Sequence, residues 1–219
     1  MEMGKRLLMV LSAAGLGAYL AGEISPAFGH DRHMRGTIVQ EHAFATPTTA
    51  YKAPDPKTLG GAFELVDQTG KTVTERSYGG RTLLLYFGYA GCREACPIAL
   101  DSLGRALDQL GADADKVQPL FVDIDMAGPD LKGLTQFIGN FDSRLIGLTG
   151  SRKQMYHMLR IFKVRREYGH PGNGKKETGP RIDHTTYVFI VGPDGITRNY
   201  FYHTLTPERM AQLIRNELR

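Results

Sequence analysis

An α/β fold is what the sequence predicts: one sheet with a parallel centre, covered by helices on both faces. Two observations carry it. Thr82–Phe87 is an unbroken apolar run, the signature of a strand buried on both sides. After it, strand-like runs alternate with stretches whose apolar residues recur at helical spacing, the pattern of crossover connections in a parallel sheet. The chain has 219 residues, enough for one well-packed domain and a tail.

The elements follow in order. Ala62–Tyr78 reads as a β-hairpin, FELV and KTVT around a turn at Asp67-Gln68-Thr69-Gly70. The strand Thr82–Phe87 comes next, then a helix over Pro97–Leu110 with Ile98, Leu103, Ala106, Leu107 and Leu110 at helical spacing. Pro97 suits the first helical turn, where its missing N–H costs nothing. Val117–Ile124 is a strand, Pro129–Phe141 a helix, and Leu145–Leu148 a short strand. Ser151 caps a helix that runs to about Phe162. A polar, Gly-rich loop follows. Thr185–Val191 and Ile196–Tyr200 form a hairpin around Gly192-Pro193-Asp194-Gly195, and Thr206–Leu218 is a closing amphipathic helix. This order of elements is a thioredoxin-like layout with an added N-terminal β-hairpin. No internal repeat is visible.

Upstream, Lys5 and Arg6 precede an uncharged run from Leu7 to Gly22. A basic n-region followed by an apolar h-region is an export signal. The run falls slightly short of a full span of ~20 residues, so both a cleaved signal peptide and an uncleaved signal-anchor fit residues 1–22, and the anchor is the reading taken here. The positive-inside rule then leaves Lys5 and Arg6 in the cytoplasm and exports the domain, to the periplasm or intermembrane space. No cysteine follows the run that a lipid could modify. Residues 23–60 read as a flexible tether rich in Pro, Gly and Thr, and 61–219 as the folded domain. The formal charge of +4 is mild and forms no basic stripe with interleaved aromatics, which argues against nucleic-acid binding.

The whole thiol content of the chain, Cys92 and Cys96, lies on one turn between the central strand and the next helix. Helix N-termini stabilise thiolates. Residues four apart on a helical turn face the same way, about 6 Å apart between Cα atoms, a separation that allows either a disulfide or a shared metal ion. Thiolates select soft ions. Two are too few for an iron–sulfur cluster or a structural zinc site, so Cu(I), or Cu(II) with a third donor, fits. A stapling disulfide is the plainer alternative, although so short a loop gains little. In an oxidising compartment the pair oxidises unless a metal or a reductant protects it.

Among seven histidines, His184 stands out as the third donor. It precedes the strand TTYVFIV, which a thioredoxin-like layout brings beside the thiol turn, and Asp183 is placed to orient it. The competing reading is a hydrogen-bonded loop histidine. His157 reads as a satisfied helix residue, His170 as solvated, and His203 as structural. His30, His33 and Met34 lie in the tether, where a solvated linker is the plainer reading and weak copper capture the sharper one. Asp123 and Asp125 end the strand LFVDID at the carboxyl edge of the sheet, where sites collect.

YFGYAGCREACPIAL, then FVDID, LIGLTGS and DHTTYVFIVGPDG, in that order, resemble the landmarks of the Sco/SenC family over roughly Ala62–Leu218. The resemblance implies a membrane-tethered, thioredoxin-like copper chaperone that helps build the dinuclear copper centre of cytochrome c oxidase. Its implied partners are the copper-centre subunit of the oxidase and other copper chaperones. Carried over by position, Cys92, Cys96 and His184 are the copper ligands, and Asp123 is the aspartate after the central strand. Two departures stand out: Asp123 leads into Ile124-Asp125-Met126-Ala127 rather than a Pro/Arg/Asp-rich stretch, and Arg93-Glu94-Ala95 separate the cysteines. The alternative function is a thiol–disulfide oxidoreductase that uses Cys92 and Cys96 to reduce the oxidase's copper-ligand cysteines, with His184 dispensable. A peroxidase-like thiol enzyme is disfavoured, since no separate peroxidatic cysteine exists.

Overall fold

A computed structural model describes residues 53–168 and 182–219. The export run at residues 1–22, most of the tether, and His30, His33, Met34 and His170 lie outside them.

Strand β1 (Glu64–Asp67) and β2 (Thr72–Thr74) form the expected hairpin. Its turn is tied by Asp67, whose Oδ1 accepts the Thr69 N–H at 2.8 Å and the Lys71 N–H at 3.1 Å. The central strand β3 (Thr82–Gly88) leads to α1 (Ala95–Leu110). Then come β4 (Val117–Asp123), α2 (Leu131–Ile138), β5 (Ile146–Thr149) and α3 (Arg152–Ile161). Ser151 and Gln154 close a reciprocal capping box at the start of α3. Strands β6 (Arg166–Tyr168) and β7 (Ile182–His184) pair with each other in a small separate sheet. The hairpin β8 (Tyr187–Val191) and β9 (Thr197–Tyr202) and the helix α4 (Pro207–Glu217) complete the chain.

The main sheet has seven strands in the order β2-β1-β5-β4-β3-β8-β9. β3, β4 and β5 are parallel, and the two hairpins flank them with antiparallel pairings. The sheet is therefore mixed, more so than the alternation of elements implies, because both hairpins join it along antiparallel edges.

Along β3, Leu83, Leu85 and Phe87 enter one core with Met155, Met158 and Phe162. Leu84 and Tyr86 enter the other, with Leu103 and Leu107 of α1 and Met210 and Ile214 of α4. Alternation over a fully buried strand divides its side chains between two faces, which explains the unbroken apolar run. Burying each such Leu or Phe contributes at most about 1.5–3 kcal/mol.

Several boundaries differ from those expected; α1 begins at Ala95 and so takes Cys96 into its first turn. Helix α2 starts after Asp130, whose carboxylate caps the Gly133 N–H at 2.8 Å, so Pro129 stays outside. The last residues of the expected tether pack on the domain: Leu59 is buried, the Thr197 N–H donates to Leu59 O, and the Tyr200 hydroxyl donates to Pro54 O.

Candidate metal centre

β3 and β4 end side by side, with Gly88 opposite Asp123 in the parallel register. The Ile124 N–H extends that ladder by donating to Gly88 O at 2.8 Å. The chain after Gly88 must then turn into α1. The Cys92 N–H donates to Tyr89 O at 3.0 Å and closes the turn that carries the thiols. Gly88 is required here by proximity: a Cβ on it would lie 2.9 Å from Cys96 Sγ and 2.6 Å from the Phe121 ring.

Both cysteines are free thiols, and their environments differ. Cys96 is fully buried in α1, while Cys92 is half-buried before the helix. The N-cap residue Glu94 makes no side-chain cap. The helix N-terminus uses the Cys92 sulfur instead, which accepts the Cys96 N–H at 3.3 Å. Hydrogen bonding from the Cys96 thiol, aided by the backbone N–H groups of Cys96, Glu94 and Ala95 and opposed by burial, holds Cys92 down at about 6. Cys96 moves the other way, far above the usual thiol range, because its proton is held by Cys92 and because it is buried. Near neutral pH the pair carries one negative charge, centred on Cys92. The Tyr86 hydroxyl donates to Cys96 Sγ at 3.9 Å.

His184 ends β7 beside this cluster. Its ring packs edge-on to Tyr86 and Tyr89, each at 6.4 Å between centroids. Tyr89 also contacts Cys92, so the two tyrosines link the imidazole to the thiol pair. The orienting group is the Thr185 carbonyl, 2.9 Å from His184 Nδ1. A carbonyl only accepts, so Nδ1 carries the proton and the Nε2 lone pair is left for a ligand. Burial, with the charge of His203, lowers the basicity of His184 and favours the neutral ring. Asp183, expected from the sequence to orient the ring, is exposed, and its charge raises the basicity of His184.

Asp123 is buried at the end of β4. Burial pushes its carboxyl up to about 6, against the N–H groups of Asp125 and Ala90, which donate to it. Through Ala90 it ties β4 to the thiol turn. Asp125 accepts the Ala127 N–H at 3.0 Å and shapes the following turn. His157 is satisfied on α3, with Nε2 bonded to Ala62 O at 2.9 Å.

The structure thus joins the two thiols directly and sets His184 behind the tyrosines. Among the described residues, no three His, Cys, Asp or Glu side chains converge closely enough to hold one metal ion. His203, read from sequence as structural, belongs to the same neighbourhood. Its ring lies 6.1 Å from Tyr86, and Thr186 O binds both its N–H and its Nδ1. The signal that locates it is the pairing of β8 with β9, not any local motif.

A family model described as SCO1/SenC matches residues 51–219. The chain is 34% identical over 163 residues to a mitochondrial SCO2 homologue of Danio rerio, covering 73% of this chain and 57% of that protein. It therefore spans little more than half the length of that relative. Among solved structures it is similar to copper-bound ScoI of Bradyrhizobium japonicum, at 30% identity and a TM-score of 0.63, over 72% of this chain and 98% of the other. Copper-bound ScoI of Arabidopsis thaliana aligns at 25% identity with a TM-score of 0.67, over 74% and 98% of the two chains.

Proposed function

The chain belongs to the SCO1/SenC family, and on that footing we propose that it is a copper-binding metallochaperone. Cys92 and Cys96 hold the ion as thiolates and His184 Nε2 is the third donor. The observation that carries this reading is the ready state of all three groups. One thiol is ionised near neutral pH, the second is adjacent and hydrogen-bonded to it, and the imidazole is neutral with its lone pair on the ring atom left free by Thr185. Copper supplies a soft acceptor that displaces the Cys96 proton; its binding therefore releases about one proton per ion near neutral pH. The His184 ring has to approach the sulfur pair as the ion binds.

Copper is cargo in this reading. A partner thiolate or imidazole takes it by stepwise ligand exchange, leaving Cys92 and Cys96 as they began. The receiving protein is the copper-centre subunit of cytochrome c oxidase, with other copper chaperones as donors of the ion. Lys5, Arg6 and the apolar run to Gly22 support a membrane-anchored domain on the exported side. Among the described residues no helix is long and apolar enough to cross a membrane.

Titration of the reduced full-length chain with Cu(I) against a competing chelator tests the reading. The wild type takes up one equivalent, and Cys92→Ser or His184→Ala loses stoichiometric binding. Wild-type affinity in either variant would overturn it.

One observation favours a second reading. A low, accessible thiol beside a high, buried one is the asymmetry of a nucleophile and its resolving partner. As an oxidoreductase, Cys92 attacks a partner disulfide, Cys96 resolves the mixed disulfide, and the partner leaves with two thiols while the pair here becomes a disulfide. Cys96→Ser then traps a mixed disulfide, and His184→Ala keeps full activity.

A further inference from the structure

His184 and His203 come from different strands, yet both are prepared in the same way. Consecutive carbonyls, Thr185 O and Thr186 O, take the Nδ1 proton of one ring each, at 2.9 and 3.1 Å. Each ring is left with a free Nε2 lone pair. Both rings pack on Tyr86, at 6.4 and 6.1 Å, and the hydroxyl of Tyr86 touches Cys96 Sγ. The backbone gives His203 a second tie, from its own N–H to Thr186 O at 3.2 Å, so the ring is anchored at its root as well as at Nδ1.

The oxidation states of copper differ in what they ask of such a pair. Cu(I) is satisfied by few, soft donors, whereas Cu(II) favours four-coordinate, tetragonal surroundings with nitrogen or oxygen donors. Two thiolates and one imidazole serve the first and leave the second one donor short.

We infer that His203 is a further copper ligand of this centre, supplying Nε2 as a second imidazole when the bound ion is Cu(II). The inference rests on the copper reading of Cys92, Cys96 and His184 and extends it: the donor set changes from two sulfurs and one nitrogen to two sulfurs and two nitrogens with the charge of the ion. His203 closes on the ion from the end of β9, while His184 closes from the end of β7. Both move with the corner that contains Thr185 and Thr186.

Pulsed electron paramagnetic resonance counts imidazoles on Cu(II) directly. The full-length chain is used with His30→Ala, His33→Ala and His42→Ala, so that tether histidines do not contribute, and is loaded with one equivalent of Cu(II). Two coupled imidazoles are expected in this parent, and one after His203→Ala or His203→Gln, with Cu(II) affinity at least tenfold lower. His157→Ala, remote from the site, keeps both imidazoles. His203→Gln guards against misfolding, because it preserves most of the volume against Tyr86, and thermal unfolding checks that the variants remain folded. A single imidazole in the parent, or an unchanged count without His203, overturns the inference while leaving copper binding intact. Failure of the parent to retain one equivalent of Cu(II) or Cu(I) overturns both.

Discussion

Removing one sulfur should change the acidity of the other. Cys92 is held at about 6 first by the Cys96 thiol proton and then by backbone N–H groups that any residue at position 96 would keep. Cys96→Ala deletes the first and spares the second. The Cys92 midpoint then rises by at least about one unit toward the ordinary thiol range, about 1.4 kcal/mol of lost thiolate stabilisation. At pH 7 a thiol at about 6 is roughly nine-tenths ionised, and one at about 7 is roughly half ionised. Cys96→Ser is the matched control, since its hydroxyl still donates and the midpoint stays low. Either variant has a single thiol, so thiolate absorbance or iodoacetamide alkylation against pH reads Cys92 alone. The midpoint of alkylation is the quantity to compare, because intrinsic nucleophilicity rises with pKa and offsets part of the rate change. A midpoint in Cys96→Ala that stays at the wild-type value would show that the helix N-terminus alone stabilises the charge, and the donor argument would fail.

Asp123 is expected to make stability pH-dependent. Its folded pKa of about 6 lies above the ordinary 3.8, so its contribution is fully present below about 4 and is lost as pH rises through about 6. The difference of about two units corresponds to about 3 kcal/mol. Urea unfolding of Asp123→Asn against wild type should therefore show the variant gaining about that much between pH 4 and pH 8, and a constant difference across the range would refute the assignment. Gly88→Ala forces a methyl against Cys96 Sγ and Phe121. A loss of about 1–3 kcal/mol, with weakened Cu(I) binding, is expected, and an unchanged denaturation midpoint would refute the close approach. Ser151→Ala removes one half of the α3 capping box, with an expected cost of about 1 kcal/mol and no change in copper stoichiometry.

Much of the site was legible because it rests on local pattern. The apolar run of β3, the thiols after it and Asp123 at the end of β4 need only alternation and strand length to be placed. The β6–β7 pair was not legible. Arg166-Glu167-Tyr168 has no apolar alternation, and its partner Ile182–His184 lies beyond a long polar stretch. Pairing of that kind is decided by tertiary closure, not propensity. The position of His203 beside Tyr86 was hidden for a sharper reason. Counting outward from the Val191–Thr197 pair beside the turn sets Thr186 against Tyr202. The bulge at Ile190/Val191 shifts the register by one, so Tyr187 meets Tyr202 and Thr186 meets His203. A shift of one residue exchanges the faces of a strand, and no periodicity in the sequence announces it.

Strand direction is what turns these scattered residues into a centre. β3 and β4 run parallel and deliver Cys92, Cys96 and Asp123 at their carboxyl ends. β8 runs against β3, with Tyr86 beside Val188 and Leu83 beside Val191, so the start of β8 lies where β3 finishes. His184, three residues before that start, is thereby carried to the end of the sheet that bears the thiol turn. β9 reverses again and ends at the same edge, which brings His203 there too. Had β8 joined β3 in parallel, its first residue would lie about 20 Å away, the length of a seven-residue strand at ~3.3 Å per residue. The antiparallel β3–β8 edge is therefore the feature that brings His184 and His203 to the same end of the sheet as the sulfur pair. A change that weakens the β3–β8 ladder should reduce copper affinity before it disturbs the acidity of Cys92, which depends only on the β3–α1 turn.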